Sequence, residues 1–94
     1  MKVQVKYLTF YRELTGRYTE EVNLPDSTDV NGLIDFLAKR YGEPFLKKLF
    51  DENGELREYA IILVNGRDIR HLNGLKTKLN NGDKVAFLPP ASGG

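Results

Sequence analysis

Ninety-four residues, 40% of them apolar and 29% charged, suffice for one compact domain with one core and are too few for two. The fourteen basic and thirteen acidic side chains are interspersed and leave a net charge of +1, so there is no basic stripe for a phosphate backbone and no nucleic-acid partner is expected. With no cysteine and a single histidine, His71, the chain excludes disulfides, thiolate and multi-histidine metal sites, iron–sulfur ligation and cysteine nucleophiles.

Residues 2–10 (KVQVKYLTF) alternate, with Val3, Val5 and Tyr7 on one side and Gln4, Lys6, Leu8 and Phe10 on the other, which predicts a half-buried strand reaching Phe10. Thr15-Gly16 reads as a turn, and residues 18–24 resume strand character until Pro25 stops it, giving an N-terminal hairpin. Asp26, Ser27, Thr28 and Asp29 form a capping cluster ahead of Val30, Leu33, Ile34, Leu37 and Tyr41, whose spacing is that of an amphipathic helix of about three turns. Gly32 within it costs about 1 kcal/mol relative to alanine, and Gly42 is placed to stop it. Pro44 opens a second short helical piece running to Phe50, and Asp51 to Gly54 reads as a turn.

The run Ala60-Ile61-Ile62-Leu63-Val64 is the longest apolar stretch, far short of a membrane span, and the N-terminus lacks a signal-peptide layout; a cytoplasmic protein without membrane association is expected. Because the run is unbroken, periodicity leaves open which of its side chains face which way. Asn65-Gly66 is a strong hairpin signal and makes residues 67–71 a short edge strand. Residues 72–79 read as a loop with one helical turn. Asn81-Gly82-Asp83 turns the chain into a last strand, 84–88, with Val85 and Phe87 on one side and Lys84, Ala86 and Leu88 on the other.

This order predicts an α+β fold of the β-grasp, ubiquitin-like type, a mixed sheet of about five strands with one main helix on one face and the first and last strands parallel at its centre. The domain spans residues 1–90 and residues 91–94 form a flexible tail. Val3, Val5, Tyr7, Val85 and Phe87 meet the helix. Leu8, Phe10 and Leu88 fall on the open face beside Lys6 and Lys84, an apolar patch suited to a partner protein.

The tail is the second candidate site. Pro89 and Pro90 end the strand ladder and send the chain off extended, and Ala91, Ser92, Gly93 and Gly94 then reach at most about 14 Å. Glycines leave a terminal carboxylate sterically open, and at a pKa of roughly 3.5 it is ionised at neutral pH and nucleophilic toward a presented electrophile. Scattered Asp, Glu and Lys elsewhere read as solvated surface.

The ending Val85-Ala86-Phe87-Leu88-Pro89-Pro90-Ala91-Ser92-Gly93-Gly94, the Asn81-Gly82-Asp83 turn, Val64-Asn65-Gly66 and the early Phe10-Tyr11-Arg12-Glu13-Leu14-Thr15-Gly16 segment together resemble the MoaD/ThiS family of ubiquitin-like sulfur carriers. The Pro-Pro-x-Ser-Gly-Gly ending is most similar to the MoaD branch, the small subunits of molybdopterin synthase. The resemblance implies a non-catalytic carrier rather than a stand-alone enzyme, with no bound cofactor or metal. A MoeB-like activating enzyme would use ATP to adenylate Gly94, a sulfur donor would form the thiocarboxylate, and a MoaE-like large subunit would take the tail in a heterotetramer that sulfurates cyclic pyranopterin monophosphate. Leu8, Phe10, Arg12, Leu88, Pro89 and Pro90 would form the partner interface. Two other readings stay open: a ubiquitin-like modifier or tRNA-thiolation carrier conjugated through Gly94, toward which the long 43–59 segment points, and a β-grasp interaction module with an inert tail.

Overall fold

In the computed structural model, which describes residues 1–90, the strands β1 (Lys2–Tyr7), β2 (Thr19–Asn23), β3 (Ile61–Val64), β4 (Arg67–Asp68) and β5 (Lys84–Leu88) form one mixed sheet in the order β2-β1-β5-β3-β4. β1 and β5 lie parallel at the centre, in a register running from Gln4 opposite Lys84 to Tyr7 opposite Phe87, and the remaining pairs are antiparallel. This is the expected β-grasp, ubiquitin-like fold. Asn65 and Gly66, with φ of 52° and 83°, make the primed turn that joins β3 to β4.

Three helices cover one face: α1 (Phe10–Thr15), α2 (Val30–Tyr41) and α3 (Glu43–Leu49). Asp29 caps α2, its carboxylate accepting from the Gly32 N–H at 2.8 Å. The stripe of Val30, Leu33, Ile34 and Leu37 is fully buried against Val3, Val5, Tyr7, Ile62, Val85 and Phe87 of the sheet. Phe45 of α3 completes an aromatic cluster, its centroid 5.6 Å from Phe87 and 6.3 Å from Tyr7. Cutting Phe87 to alanine at this centre removes about 3–5 kcal/mol of stability.

Two strand boundaries differ from the pattern of the sequence. β1 stops at Tyr7 rather than Phe10, because Thr9 adopts φ 52° and ψ −123°, a conformation a β-branched residue rarely takes. The chain leaves the sheet there and winds into α1, which the Gly16 N–H closes by donating to Arg12 O at 2.8 Å. What offsets the strain is Tyr11: α1 carries its ring into full burial, 6.1 Å from Phe87 and 6.2 Å from Phe45. β4 is shorter than 67–71 for a similar reason. Residues Ile69–His71 form a 3-10 turn, its Arg70 N–H capped by the Asp68 carboxylate at 2.8 Å, so that Ile69 is fully buried.

Candidate functional site: the exit of the last strand

β5 brings the chain to Pro89 and Pro90 at the centre of one sheet end. The Leu8 N–H donates to Phe87 O at 3.0 Å, extending the parallel ladder one residue past β1 and setting Leu8 alongside Leu88. Neither proline has an N–H, so the ladder stops there. Leu8, Leu88 and Pro89 are half-buried and Pro90 is exposed. Ala91, Ser92, Gly93 and Gly94, expected to form the reactive tail, lie outside the described residues.

Register settles what periodicity left open in β3. Ala60, Ile62 and Val64 enter the core, whereas Ile61 and Leu63 stay half-buried on the open face, opposite Leu88 and Ala86 respectively. The apolar patch is therefore two rows deep, Leu8–Leu88–Ile61 and Ala86–Leu63. A shallow groove of about 290 Å³ runs beside it, lined by Gln4, Lys6, Thr19, Leu63, Lys84 and Ala86, with the two lysines as its cationic border. Ile61 and Leu63 are the pair that periodicity leaves open, since only their cross-strand partners distinguish them from their neighbours.

Phe10 and Arg12 are not on that face. The turn at Thr9 puts both on α1, on the helix side of the exit. Phe10 is half-buried against Tyr11, at 4.5 Å between centroids, and meets Tyr59 edge-on at 6.0 Å. Arg12 is exposed, its guanidinium 5.2 Å from the Tyr18 ring, and Lys6 approaches the same ring at 5.5 Å. The six interface residues expected from the sequence thus divide into an apolar sheet surface, made by Leu8 and Leu88, and an aromatic and cationic flank on α1, with Pro89 and Pro90 between them.

The buried hydroxyls at this end are packing groups. Burial pushes the Tyr7 and Tyr11 hydroxyls above the ordinary tyrosine range, helped at Tyr7 by its hydrogen bond to Glu20, so both stay neutral and serve packing. Among the described residues no group of three or more His, Asp or Glu side chains is gathered as a metal site, and no helix is long and apolar enough to cross a membrane. A larger hollow of about 730 Å³ lies over α3, lined by Leu46, Phe50, Glu52, Arg57 and Leu75 among others. Part of its polar lining is committed within the fold: the Asp51 carboxylate accepts from the N–H groups of Asn53 and Glu55 in its own loop, and Arg57 Nε donates to Lys47 O. What the strand exit can do is hold a second protein against the sheet and present the chain beyond Pro90 to it.

A β-grasp domain with an apolar, lysine-bordered sheet face at the exit of its central last strand is a ubiquitin-like protein. The ThiS family model matches residues 5–94, and the chain belongs to that family of ubiquitin-like sulfur carriers. It is 30% identical over 94 residues, the whole of both chains, to small archaeal modifier protein 3 of Haloferax volcanii. It is 33% identical over 95 residues, covering 100% of this chain and 99% of the other, to the molybdopterin synthase sulfur carrier subunit of Mycobacterium tuberculosis. Among solved structures, SAMP1 from Haloferax volcanii matches with a TM-score of 0.81 at 27% identity over 100% of each chain.

Proposed function

We propose that this protein carries sulfur as a thiocarboxylate on Gly94 and donates it to cyclic pyranopterin monophosphate as the small subunit of a molybdopterin synthase. The observation that carries the reading is the Pro89-Pro90-Ala91-Ser92-Gly93-Gly94 segment leaving a central strand beside an apolar face, in a chain with no thiol of its own. Sulfur then has to ride on the terminal carbonyl. A MoeB-like enzyme docks on the sheet face and draws the segment into its site. There a Gly94 carboxylate oxygen attacks the α-phosphorus of ATP, pyrophosphate leaves, and a sulfur nucleophile from the donor displaces AMP from the acyl-adenylate. A MoaE-like subunit next takes the charged segment, the thiocarboxylate sulfur attacks a carbon of the pterin precursor and displaces its oxygen substituent, and water then cleaves the acyl–sulfur bond, leaving the sulfur on the pterin and Gly94 as a carboxylate again. Pro89 and Pro90 keep the segment extended and limit the conformational entropy lost on insertion.

The full-length similarity to a small archaeal modifier protein favours a second reading, in which the activated Gly94 carbonyl is captured by a lysine amine of a target protein. Adenylation is common to both, and they part at the acceptor.

The test is the intact mass of the protein after incubation with ATP, a MoeB-like activating enzyme and a sulfide source. A gain equal to one oxygen exchanged for one sulfur, confined to the C-terminal peptide, is expected, followed by its loss when a MoaE-like subunit and the pterin precursor are added. An unchanged mass, in a mixture that charges a known carrier, overturns the carrier reading. Charging without discharge to the precursor, together with Gly94-linked lysines in an extract, moves the assignment to the modifier.

A further inference from the structure

Two stacks of cations on aromatic rings stand beside the strand exit, and of their four cations only Lys6 also borders the sheet-face groove. On one side of α1, Lys6 and Arg12 share the exposed ring of Tyr18. On the other, the Lys48 ammonium lies 4.8 Å from the Phe10 ring and the Arg57 guanidinium 5.8 Å from the Tyr59 ring, with Phe10 and Tyr59 edge to face. Tyr59 belongs to the same end of the sheet as the prolines: Ile61 pairs with Leu88 in antiparallel register, so two residues earlier Tyr59 comes level with Pro90.

Of these cations Arg57 is also held by a hydrogen bond, and none is in an ion pair among the described residues. The Tyr11 hydroxyl donates to Lys48 O at 3.2 Å and fixes the end of α3 against α1, while Arg57 Nε donates to Lys47 O at 2.7 Å. The ion pairs among the described residues are Met1 with Asp26 and Arg40 with Glu20; none involves Lys6, Arg12, Lys48 or Arg57. The acids adjacent in sequence, Glu13 and Glu58, are exposed and likewise unpaired within the described residues. A cation laid on a ring keeps part of its solvent shell, has already given up side-chain freedom, and is ready for an incoming anion.

We propose that Lys6, Arg12, Lys48 and Arg57 form a cationic collar that docks on an acidic rim around the mouth of the activating enzyme, with Tyr18, Phe10 and Tyr59 packing just inside it. The proposal rests on the carrier reading and adds the chemistry of the partner: carboxylates outside, apolar surface within. Charge complementarity of this kind speeds encounter and fixes orientation more than it deepens affinity, so it shows as salt-dependent association.

The experiment measures adenylation kinetics of the full chain with a MoeB-like activating enzyme and ATP at two ionic strengths. The wild-type KM is expected to rise about tenfold from low to high salt with kcat nearly constant. Arg12→Glu/Lys48→Glu should raise KM about tenfold at low salt and flatten the salt dependence, whereas Lys39→Glu, on the exposed face of α2, should behave as wild type. Arg12 and Lys48 are exposed, and melting curves of the variants confirm folding. Tyr59→Ala supplies a charge-neutral check and should raise KM with the salt slope unchanged. A double reversal whose KM stays within twofold of a readily adenylated wild type overturns the collar and leaves the carrier reading standing. A wild type that is not adenylated at all overturns the carrier reading and the collar with it.

Discussion

The Tyr7 hydroxyl donates to Glu20 Oε2 at 2.6 Å, on the helix side of the sheet, where a carboxylate is least at home. Glu20 is there because it pairs with Val5 across the β1–β2 ladder, and its side chain is only 4% exposed. Tyr41 of α2 donates to the same oxygen and Arg40 to the other, so three elements, β1, β2 and α2, meet on one carboxylate. Burial pushes the Glu20 pKa up; the hydrogen bonds from Tyr41 and Tyr7 and the charges of Arg40 and Arg17 more than reverse it, leaving the carboxyl below its ordinary 4.5.

A carboxyl depressed in the folded state adds stability in full above its unfolded pKa and loses it as pH falls through its folded one. Glu20→Gln keeps the shape but offers one acceptor where three donors converge, and should cost about 1–3 kcal/mol at pH 7. Urea denaturation should show the gap between the two proteins closing as pH falls below about 4.5. A gap of the same size at pH 3 and pH 7 would mean that packing, not charge, is what Glu20 contributes.

Gly32 gives a prediction against helix propensity. A Cβ there would stand 2.6 Å from Thr28 Cγ2, and Thr28 cannot swing away cheaply because its hydroxyl donates to Pro25 O at 2.6 Å. Gly32→Ala should therefore fail to gain the roughly 1 kcal/mol that an unobstructed helix site gives, and should lower Tm. Adding Thr28→Ser removes the obstructing methyl, and the double variant should recover the gain. Equal melting temperatures for the single and double variants would remove Thr28 as the reason for the glycine.

The central strands, the capped stripe of α2 and the primed turn at Asn65-Gly66 are legible in the sequence because each rests on a local period or a local dihedral demand. The sheet order was within reach because a helix between two strands permits a parallel pair. α1 was not legible: Leu8 and Phe10 continue the alternation of β1, and only the tertiary burial of Tyr11 makes leaving the sheet at Thr9 worthwhile. For the same reason Leu8 and Leu88 stay together at one sheet end while Phe10 leaves it on α1. Ile61 and Leu63 needed a partner strand to reveal their face, and Lys48, Arg57, Tyr18 and Tyr59 reach the exit from segments remote in sequence.

Leu63 tests the sheet face apart from the collar. It is half-buried in the groove and outside the core, so Leu63→Asp should change stability by about 1 kcal/mol or less. On the carrier reading it should nevertheless raise the KM for adenylation about tenfold or more, because it puts a charge into an apolar contact. Wild-type kinetics in this variant would show that the activating enzyme does not sit on this face.

Thr9 stores strain that glycine would release. At φ 52° and ψ −123° a β-branched residue costs of order 1–3 kcal/mol, part of which glycine gives back as chain entropy in the unfolded state. Thr9→Gly should raise Tm, by an amount equivalent to about 1 kcal/mol, with Tyr11 still protected from solvent. Thr9→Val should leave Tm nearly unchanged, since it keeps the branch and the Thr9 side chain makes no capping hydrogen bond. A melting temperature lowered by glycine would mean that the stiffer backbone of a residue with a side chain contributes more than the strain takes away.

Arg70 decides whether Tyr59 is held at the exit. Its guanidinium donates from Nη1 to Ala60 O at 2.8 Å and from Nη2 to Arg57 O at 2.7 Å, bracketing Glu58 and Tyr59 where the chain enters β3. A planar fork can satisfy both carbonyls at once and an ammonium cannot. Arg70→Ala should cost about 1–2 kcal/mol, toward the low end of charged hydrogen bonds because the residue is exposed, and Arg70→Lys should recover only part. The more telling readout is local: amide exchange at Tyr59 and at Ala60, whose N–H donates to Arg57 O at 3.0 Å, should accelerate in Arg70→Ala while exchange in β1 and β5 is unchanged. If the 57–60 bend keeps its protection without Arg70, its geometry comes from the Arg57 bond to Lys47 and the Phe10–Tyr59 contact alone. In that case the aromatic flank is fixed from the helix side and does not depend on β4 and its 3-10 turn.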